Sequence, residues 1–244
     1  MKVTVVGYWG GYPEANEATS GYLFQHNGFN LLVDCGSAVL SQLQNYLSPL
    51  ELDAVILSHY HHDHVADIGP LQYARLIGGM MQQTKKILPI YGHTLDKDKF
   101  FQLHHLDVTK GIPYNPKESI EIGSFTISFL KTDHPVDCFA MRFSAGEKTV
   151  VYTADSSFKK EFIPFAKGAD LLICECNMYA GEDGKPAGHM NSHEAAVIAK
   201  DADVKELILT HLPHKGNHQD LIQEAAEIFK GTIKLAKTGL VVEC

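Results

Sequence analysis

The chain lacks any apolar run long enough to cross a bilayer. Runs such as LLIC at 171–174 and LILT at 207–210 stop after a few residues, where a helical span needs about 20. It also lacks a basic-then-apolar leader, starting instead on strand-like KVTVVG. Cysteine is sparse: Cys35, Cys138, Cys174, Cys176 and Cys244 are odd in number and show no CxxC spacing, which excludes a zinc ribbon and argues against a disulfide framework. Basic residues are outnumbered, 21 Lys and Arg against 29 Asp and Glu, for a net charge of −8. A broad basic surface for nucleic acid requires the opposite balance. No Ser/Gly-rich linker, charge block or low-complexity segment divides the chain. The expectation is a soluble, cytoplasmic protein with reduced thiols and no membrane partner. Its 244 residues, 45% of them hydrophobic, suffice for one large domain or two fused half-domains.

What the sequence does have is alternation of short strands and helices. KVTVVG is followed by a Gly/Pro-rich loop, then by GYLFQHNGFNLLVDCG, where Asn27-Gly28 marks a hairpin turn between apolar runs. Helical spacing covers 37–47 and ends before Pro49; DAVILS is a short buried strand; a helix is predicted over 66–83 and a strand over 86–92. In the second half, SFTISFLKT, CFAMRFS, KTVVYTAD, ADLLICEC and KELILTH read as strands. SFKKEFIPFAKG, NSHEAAVIAKDA and NHQDLIQEAAEIFKG read as helices, and TIKLAKTGLVVEC closes the chain. The order predicts an α/β protein of two half-domains, each a sheet covered by helices. Cys174 and Cys176 alternate along an apolar strand and so share one face as packed thiols.

The chemistry concentrates in SHYHHDHVADIGP, where His59, His61, Asp63 and His64 form an H-x-H-x-D-H pattern behind a strand. Several neutral imidazoles and a carboxylate on one loop suit a zinc-like divalent ion. Three more candidates follow apolar strands: His134 in FLKTDHP, Asp155 in VVYTADS and His211 in LILTHLP. A lone His or Asp at a strand end is by default a cap or turn residue. Three of them, in order behind the cluster, read as ligands gathered at a sheet edge.

At these residues the chain resembles the metallo-β-lactamase fold superfamily in its binuclear form, over nearly its whole length. The strongest likeness is to the ribonuclease Z and phosphodiesterase branch, carried by LLVDCGS, IYG at 90–92, YTADS at 152–156 and GHMNSHEAA at 188–196 before LILTH. The resemblance implies a single domain over 1–244 with a four-layer αββα sandwich. It implies two divalent ions, zinc foremost, with manganese or iron admitted by the same ligand types. His59, His61 and His134 would hold one ion, Asp63, His64 and His211 the other, and Asp155 would bridge. His62 falls at the variable position and is a bystander. His189 would face the substrate phosphate or leaving group as a catalytic residue. Glu194 either orients it or is a first-turn carboxylate favoured by the helix dipole.

The resemblance further implies a hydrolase in which metal-activated hydroxide attacks phosphorus, with Asp63, also a ligand, orienting it. Two divalent ions bring four positive charges; Asp63, Asp155 and the hydroxide return about three, leaving a locally positive site that favours a small anionic substrate. True ribonuclease Z departs here. Its long forms carry a tRNA-gripping arm, whereas only about 20 residues, enough for two strands and a turn, lie between His134 and Asp155. With the acidic balance this argues against tRNA as a partner and favours a small or cyclic phosphodiester. The alternatives are a thioester or lactone hydrolase of the same fold, or a non-catalytic metal-binding member. Relatives in this branch often form dimers, so a homodimer is what the likeness suggests. Substrate choice falls to loops such as 8–20, 93–118 and 177–190.

Overall fold

The computed structural model describes residues 1–82 and 86–244; the last residue of the predicted 66–83 helix lies outside the described residues. Two compact units form. The first comprises 1–115, 122–124 and 237–243, and the second 116–121, 125–236 and 244.

The first unit is built on a seven-stranded sheet. Its strands are β1 (Lys2–Gly7), β2 (Gly21–His26), β3 (Phe29–Val33), β4 (Ala54–Ile56), β5 (Leu88–Gly92), β6 (Thr109–Pro113) and, from the far end of the chain, β14 (Val241–Glu243). Their order is β14-β1-β2-β3-β4-β5-β6. The strands from β14 to β3 pair antiparallel, whereas β3 through β6 pair in parallel. The β2–β3 hairpin turns on Asn27 and Gly28, both at positive φ (48° and 77°), the conformation for which Asn-Gly is favoured. Leu23, Leu32, Val55, Leu71 and Ile90 are buried together in its core.

The second unit repeats the scheme. Strands β7 (Ile120–Ile122), β8 (Phe125–Lys131), β9 (Phe139–Ala145), β10 (Lys148–Tyr152), β11 (Leu171–Glu175), β12 (Glu206–Thr210) and β13 (Thr232–Leu235) lie in the order β13-β12-β11-β10-β9-β8-β7. The run from β10 to β13 is parallel, and β9 is antiparallel to both β8 and β10. β8, β10, β11 and β12 therefore all point the same way, and their carboxyl ends share one edge. Parallel strands are covered on both faces, which is why β11 is buried along its full length and β12 nearly so.

Seven helices complete the described chain: α1 (Val39–Leu43), α2 (His62–Val65), α3 (Ile68–Gln82), α4 (Lys97–Phe101), α5 (Phe162–Ala166), α6 (Ser192–Asp201) and α7 (His218–Ile228). Helix α1 is shorter than the predicted 37–47. Ala38 sits at φ 65°, which delays the start, and Ser48 caps a separate 3-10 turn over Pro49–Glu51. The stretch 93–118, read as a loop, contains α4 and β6. TKGIP shows no apolar alternation, and its pairing to β5 decides its conformation instead. Among the described residues no helix is long and apolar enough to cross a membrane.

Candidate metal centre

In the first unit the donors follow the carboxyl end of β4. Leu57 and Ser58 lead out of β4 to His59 and His61, and the four-residue α2 supplies Asp63 and His64. The rings of His59 and His61 lie 4.8 Å apart, and those of His59 and His64 4.1 Å apart. Asp63 Oδ2 is 3.6 Å from His64 Nε2. His62, on the other side of α2, is exposed.

What orients these imidazoles is Asp34, fully buried just after β3 and held at φ 57°. Its Oδ1 accepts the Ser58 N–H, and its Oδ2 accepts the Ser58 hydroxyl, each at 2.8 Å. The same Oδ2 lies 2.8 Å from His64 Nδ1. A carboxylate only accepts, so His64 carries its proton on Nδ1 and its lone pair on Nε2. Ser58, having donated to Asp34, accepts from His59 Nδ1 at 3.0 Å, which leaves the His59 lone pair on Nε2 as well. One buried acid thus sets two imidazole tautomers, as an outer partner does where imidazoles bind a metal. Asp63 Oδ2 also accepts the Gly11 N–H at 2.9 Å, tying the 8–20 loop to the donors. Gly36 is required here: a Cβ would lie 1.9 Å from the Asp63 carbonyl oxygen.

In the second unit His134, Asp155 and His211 follow β8, β10 and β12, and Glu175 ends β11. The common direction of these strands brings all four to one sheet edge, the place where layered α/β proteins bind ligands. Asp155 Oδ2 is 3.2 Å from His211 Nε2 and 3.9 Å from His134 Nε2. His134 Nδ1 lies 3.1 Å from the Gly188 carbonyl, so it donates there and presents Nε2. Burial lowers the His134 pKa, although Asp155 and the Gly188 carbonyl pull the other way; the neutral ring so favoured is the form able to bind a metal. Ala154 and His211 stand at φ 50° and 54°, left-handed conformations that side-chain-bearing residues rarely adopt and that concentrate at functional sites.

His189 joins this edge. Its Nδ1 is 2.9 Å from Glu175 Oε1, and its ring stacks on His211 at 5.0 Å. Ligand-capable atoms of Glu175, His189 and His211 all lie within 4.8 Å of one another. Glu175 is fully buried and also accepts the N–H groups of Ser156 and Asn177, at 3.0 and 3.2 Å. Sequence reasoning missed Glu175 and left the role of Glu194 open. Glu194 is a capping residue: it exchanges hydrogen bonds with Asn191 at the start of α6, each 3.0 Å. The signal for Glu175 was an acid inside the apolar strand LLICEC, on the face opposite its two cysteines. Burial raises the thiols of Cys35, Cys174 and Cys176 well above the usual value, as it does for thiols packed in apolar surroundings.

These donor sets bear directly on relationship. Residues 29–212 match the family model of the β-lactamase superfamily domain, and that stretch runs from β3 through His211. The chain belongs to the β-lactamase superfamily. Among members of the superfamily, it is 59% identical over 243 residues to the probable metallo-hydrolase YhfI of Bacillus subtilis (strain 168), with 100% of both chains covered. The crystal structure of that metallo-β-lactamase fold protein superposes with a TM-score of 0.99 at 58% identity, over 100% of this chain and 99% of the other. Ribonuclease Z of Methanopyrus kandleri is 26% identical, over 97% of this chain and 95% of its own. Human tRNase Z, short form, shares the fold alone, with a TM-score of 0.79 at 21% identity over 100% and 99% of the two chains. The α/β metallo-β-lactamase fold class expected from the sequence, two mixed sheets with helices, holds.

Proposed function

We propose that this protein is a binuclear metal-dependent hydrolase acting on a small or cyclic phosphodiester. Its donor chemistry fits divalent ions: imidazoles whose Nε2 lone pairs are set by Asp34, Ser58 and Gly188, and the carboxylates of Asp63 and Asp155. In this reading His59, His61 and His134 would hold one ion and Asp63, His64 and His211 the other, with Asp155 the shared carboxylate that the resemblance implies. Zinc is the first candidate for the metal. When bound, such a pair lowers the pKa of water and neutralises charge on a phosphoryl group.

The observation that carries the reading is the Glu175–His189 pair beside His211. With Nδ1–H directed at Glu175, His189 presents Nε2 for proton transfer, and in its imidazolium form it has a proton there to give. As the P–O bond breaks, its electron pair goes to the leaving oxygen, which takes the proton from His189 Nε2. Asp63, anchored by the Gly11 N–H, accepts a hydrogen bond from the attacking water and orients it. Against a tRNA substrate stands the short connection from His134 to Asp155, filled by β9, β10 and a tight turn, together with the net charge of −8.

The test is hydrolysis of bis(p-nitrophenyl) phosphate by the protein as purified, after chelation, and after adding back Zn or Mn. Turnover lost with chelation and restored by metal is the expected result. A folded, metal-replete protein without turnover overturns the phosphodiesterase reading, and thioester and lactone substrates then become the ones to try.

A further inference from the structure

Glu175, His189 and His211 form a donor set that differs from those assigned to the two ions, since Glu175 and His189 belong to neither. Glu175 ends β11 and pairs in register with Thr210 of β12, so His211 stands one residue past that pair on the neighbouring strand. His189 enters from the 177–190 loop at a fixed point. Its N–H donates to the Gly184 carbonyl at 3.0 Å, and Gly188 before it turns at φ 76°. A Cβ on Gly184 would lie 2.5 Å from the His189 carbonyl oxygen, so the turn closes tightly on a glycine. Two strand ends and one tight turn thus present a carboxylate and two imidazoles whose ligand-capable atoms lie within 4.8 Å of one another.

Two imidazoles and a carboxylate, with a fourth position left open, are a combination that binds zinc. Donors around a tetrahedral zinc sit roughly 3.4 Å apart. The 2.9 Å between Glu175 Oε1 and His189 Nδ1 would therefore widen slightly, while His211 would close by up to about 1.4 Å. Glu175 can keep its Ser156 and Asn177 N–H partners, because each carboxylate oxygen has two lone pairs and the ion replaces only the Nδ1 proton. The His189 side chain is 16% exposed, which gives an ion its way in to a carboxylate otherwise closed off.

We propose that Glu175, His189 and His211 form a further, inhibitory zinc site, filled last and switching the enzyme off when zinc is in excess. The inhibition rests on the hydrolase reading; the site itself does not. An ion there takes Glu175 and Nδ1 out of the proton-transfer pair. It also draws on His211, whose Nε2 stands 3.2 Å from Asp155 Oδ2. The His189 ring keeps one proton, now on Nε2, and any second proton leaves to solvent. Repulsion from cations already beside His211 makes this the weaker site. Activity should therefore rise with zinc and then fall. Manganese stands at the foot of the affinity order and suits oxygen ligands, so it should activate without the fall.

The experiment sets free zinc with chelator buffers from about 1 nM to about 100 µM, a span that separates tight sites from moderate ones, and counts ions per chain after equilibrium dialysis. The wild type is expected to gain one ion in the upper part of the range. Glu175→Gln and His189→Ala are expected to gain none there; circular dichroism checks their fold, and either folded variant suffices. His193→Ala is the control for surface capture, because His193 lies 3.2 Å from Glu227 in an exposed pair of the same chemistry; it should gain the ion as the wild type does. Long-range proton–nitrogen spectra of the imidazoles should show the His189 Nδ1 proton of low zinc disappear at high zinc while Nε2 keeps one. Neither readout needs a substrate, so a folded but inactive protein would end the phosphodiester reading and still leave the site decided. On an alkyl diester, whose leaving oxygen needs a proton, the rate should fall about 10-fold at ten times the Kd of the added ion, and hold within about 2-fold in manganese over the same range. A gain shared equally by both variants is an adventitious ion only and overturns the proposal. So does an Nδ1 proton that persists at the highest zinc, a rate that stays level while the ion is gained, or inhibition by manganese as strong as that by zinc.

Discussion

Replacing Glu175 by Gln keeps the shape of the acid beneath His189 and removes its charge. Oε1 receives both His189 Nδ1 and the Ser156 N–H, and Oε2 receives the Asn177 N–H. An amide matches only one side. Its better orientation keeps the oxygen on the doubly bonded side and turns NH2 toward the Asn177 donor, whose contact is the longest at 3.2 Å. One buried mismatch costs about 1–3 kcal/mol. At roughly 2–4 °C per kcal/mol for a chain of this size, the melting temperature should fall by about 2–12 °C. The kinetic effect separates from the structural one through the leaving group. A p-nitrophenolate departs without a proton, so its diester should lose only a few-fold in kcat. An alkoxide needs the proton, so an alkyl diester should lose about 10²-fold, the low end for general acid catalysis, with KM little changed. His189→Ala should show the same split, larger. Equal losses on both substrates would mean that Glu175 only holds the fold, and no loss on either would remove the pair from the reaction.

Three further outcomes follow from named contacts. Asp34→Asn puts an amide NH2 against donors of Ser58 or His64; metal affinity should fall about 10–100-fold, read as metal retained after dialysis against graded chelator, and unchanged retention would refute the tautomer assignment. Gly36→Ala drives a Cβ into the Asp63 carbonyl and should destabilise by about 1–3 kcal/mol or more; an unaltered melting curve would contradict it. Asp170 is the pH case. Burial would raise its pKa, but Lys205, the Thr149 N–H and Lys148 outweigh that and hold it low. A depressed carboxyl contributes stability that is present above its unfolded value of about 3.9 and lost as pH falls through the folded one. Asp170→Asn should therefore cost on the order of 1 kcal/mol at neutral pH, with the two melting curves converging in acid; a gap that persisted at low pH would be inconsistent.

The sequence displays the ligand candidates because strand ends are legible. An apolar run followed by His or Asp says where the chain leaves the sheet, and His59, His134, Asp155 and His211 all stand there. The residues that orient them are less legible. Asp34 acts through residues 24 and 30 positions away, and Glu175 through His189 and Ser156; nothing local marks such pairings. Glu194 lies closer to His189 in sequence and so is the more visible candidate, yet its capping role absorbs it. Short elements are hidden for the same reason. The strand at Thr109–Pro113 is set by its neighbour β5, and the early end of α1 is set by turn geometry rather than by apolar spacing.

The first sheet is closed by β14, residues 241–243, lying antiparallel on β1 with Lys2 opposite Glu243. During synthesis from the amino end, β1 (Lys2–Gly7) leaves the ribosome well before its partner β14 (Val241–Glu243). Until then β1 offers an uncovered edge, the kind that templates pairing between chains. The second unit, whose sheet draws only on residues 120–235, is free to form in that interval. A pause in synthesis between β1 and β14 therefore prolongs the exposure of that edge, and the late strand completes a sheet whose other members were made long before it.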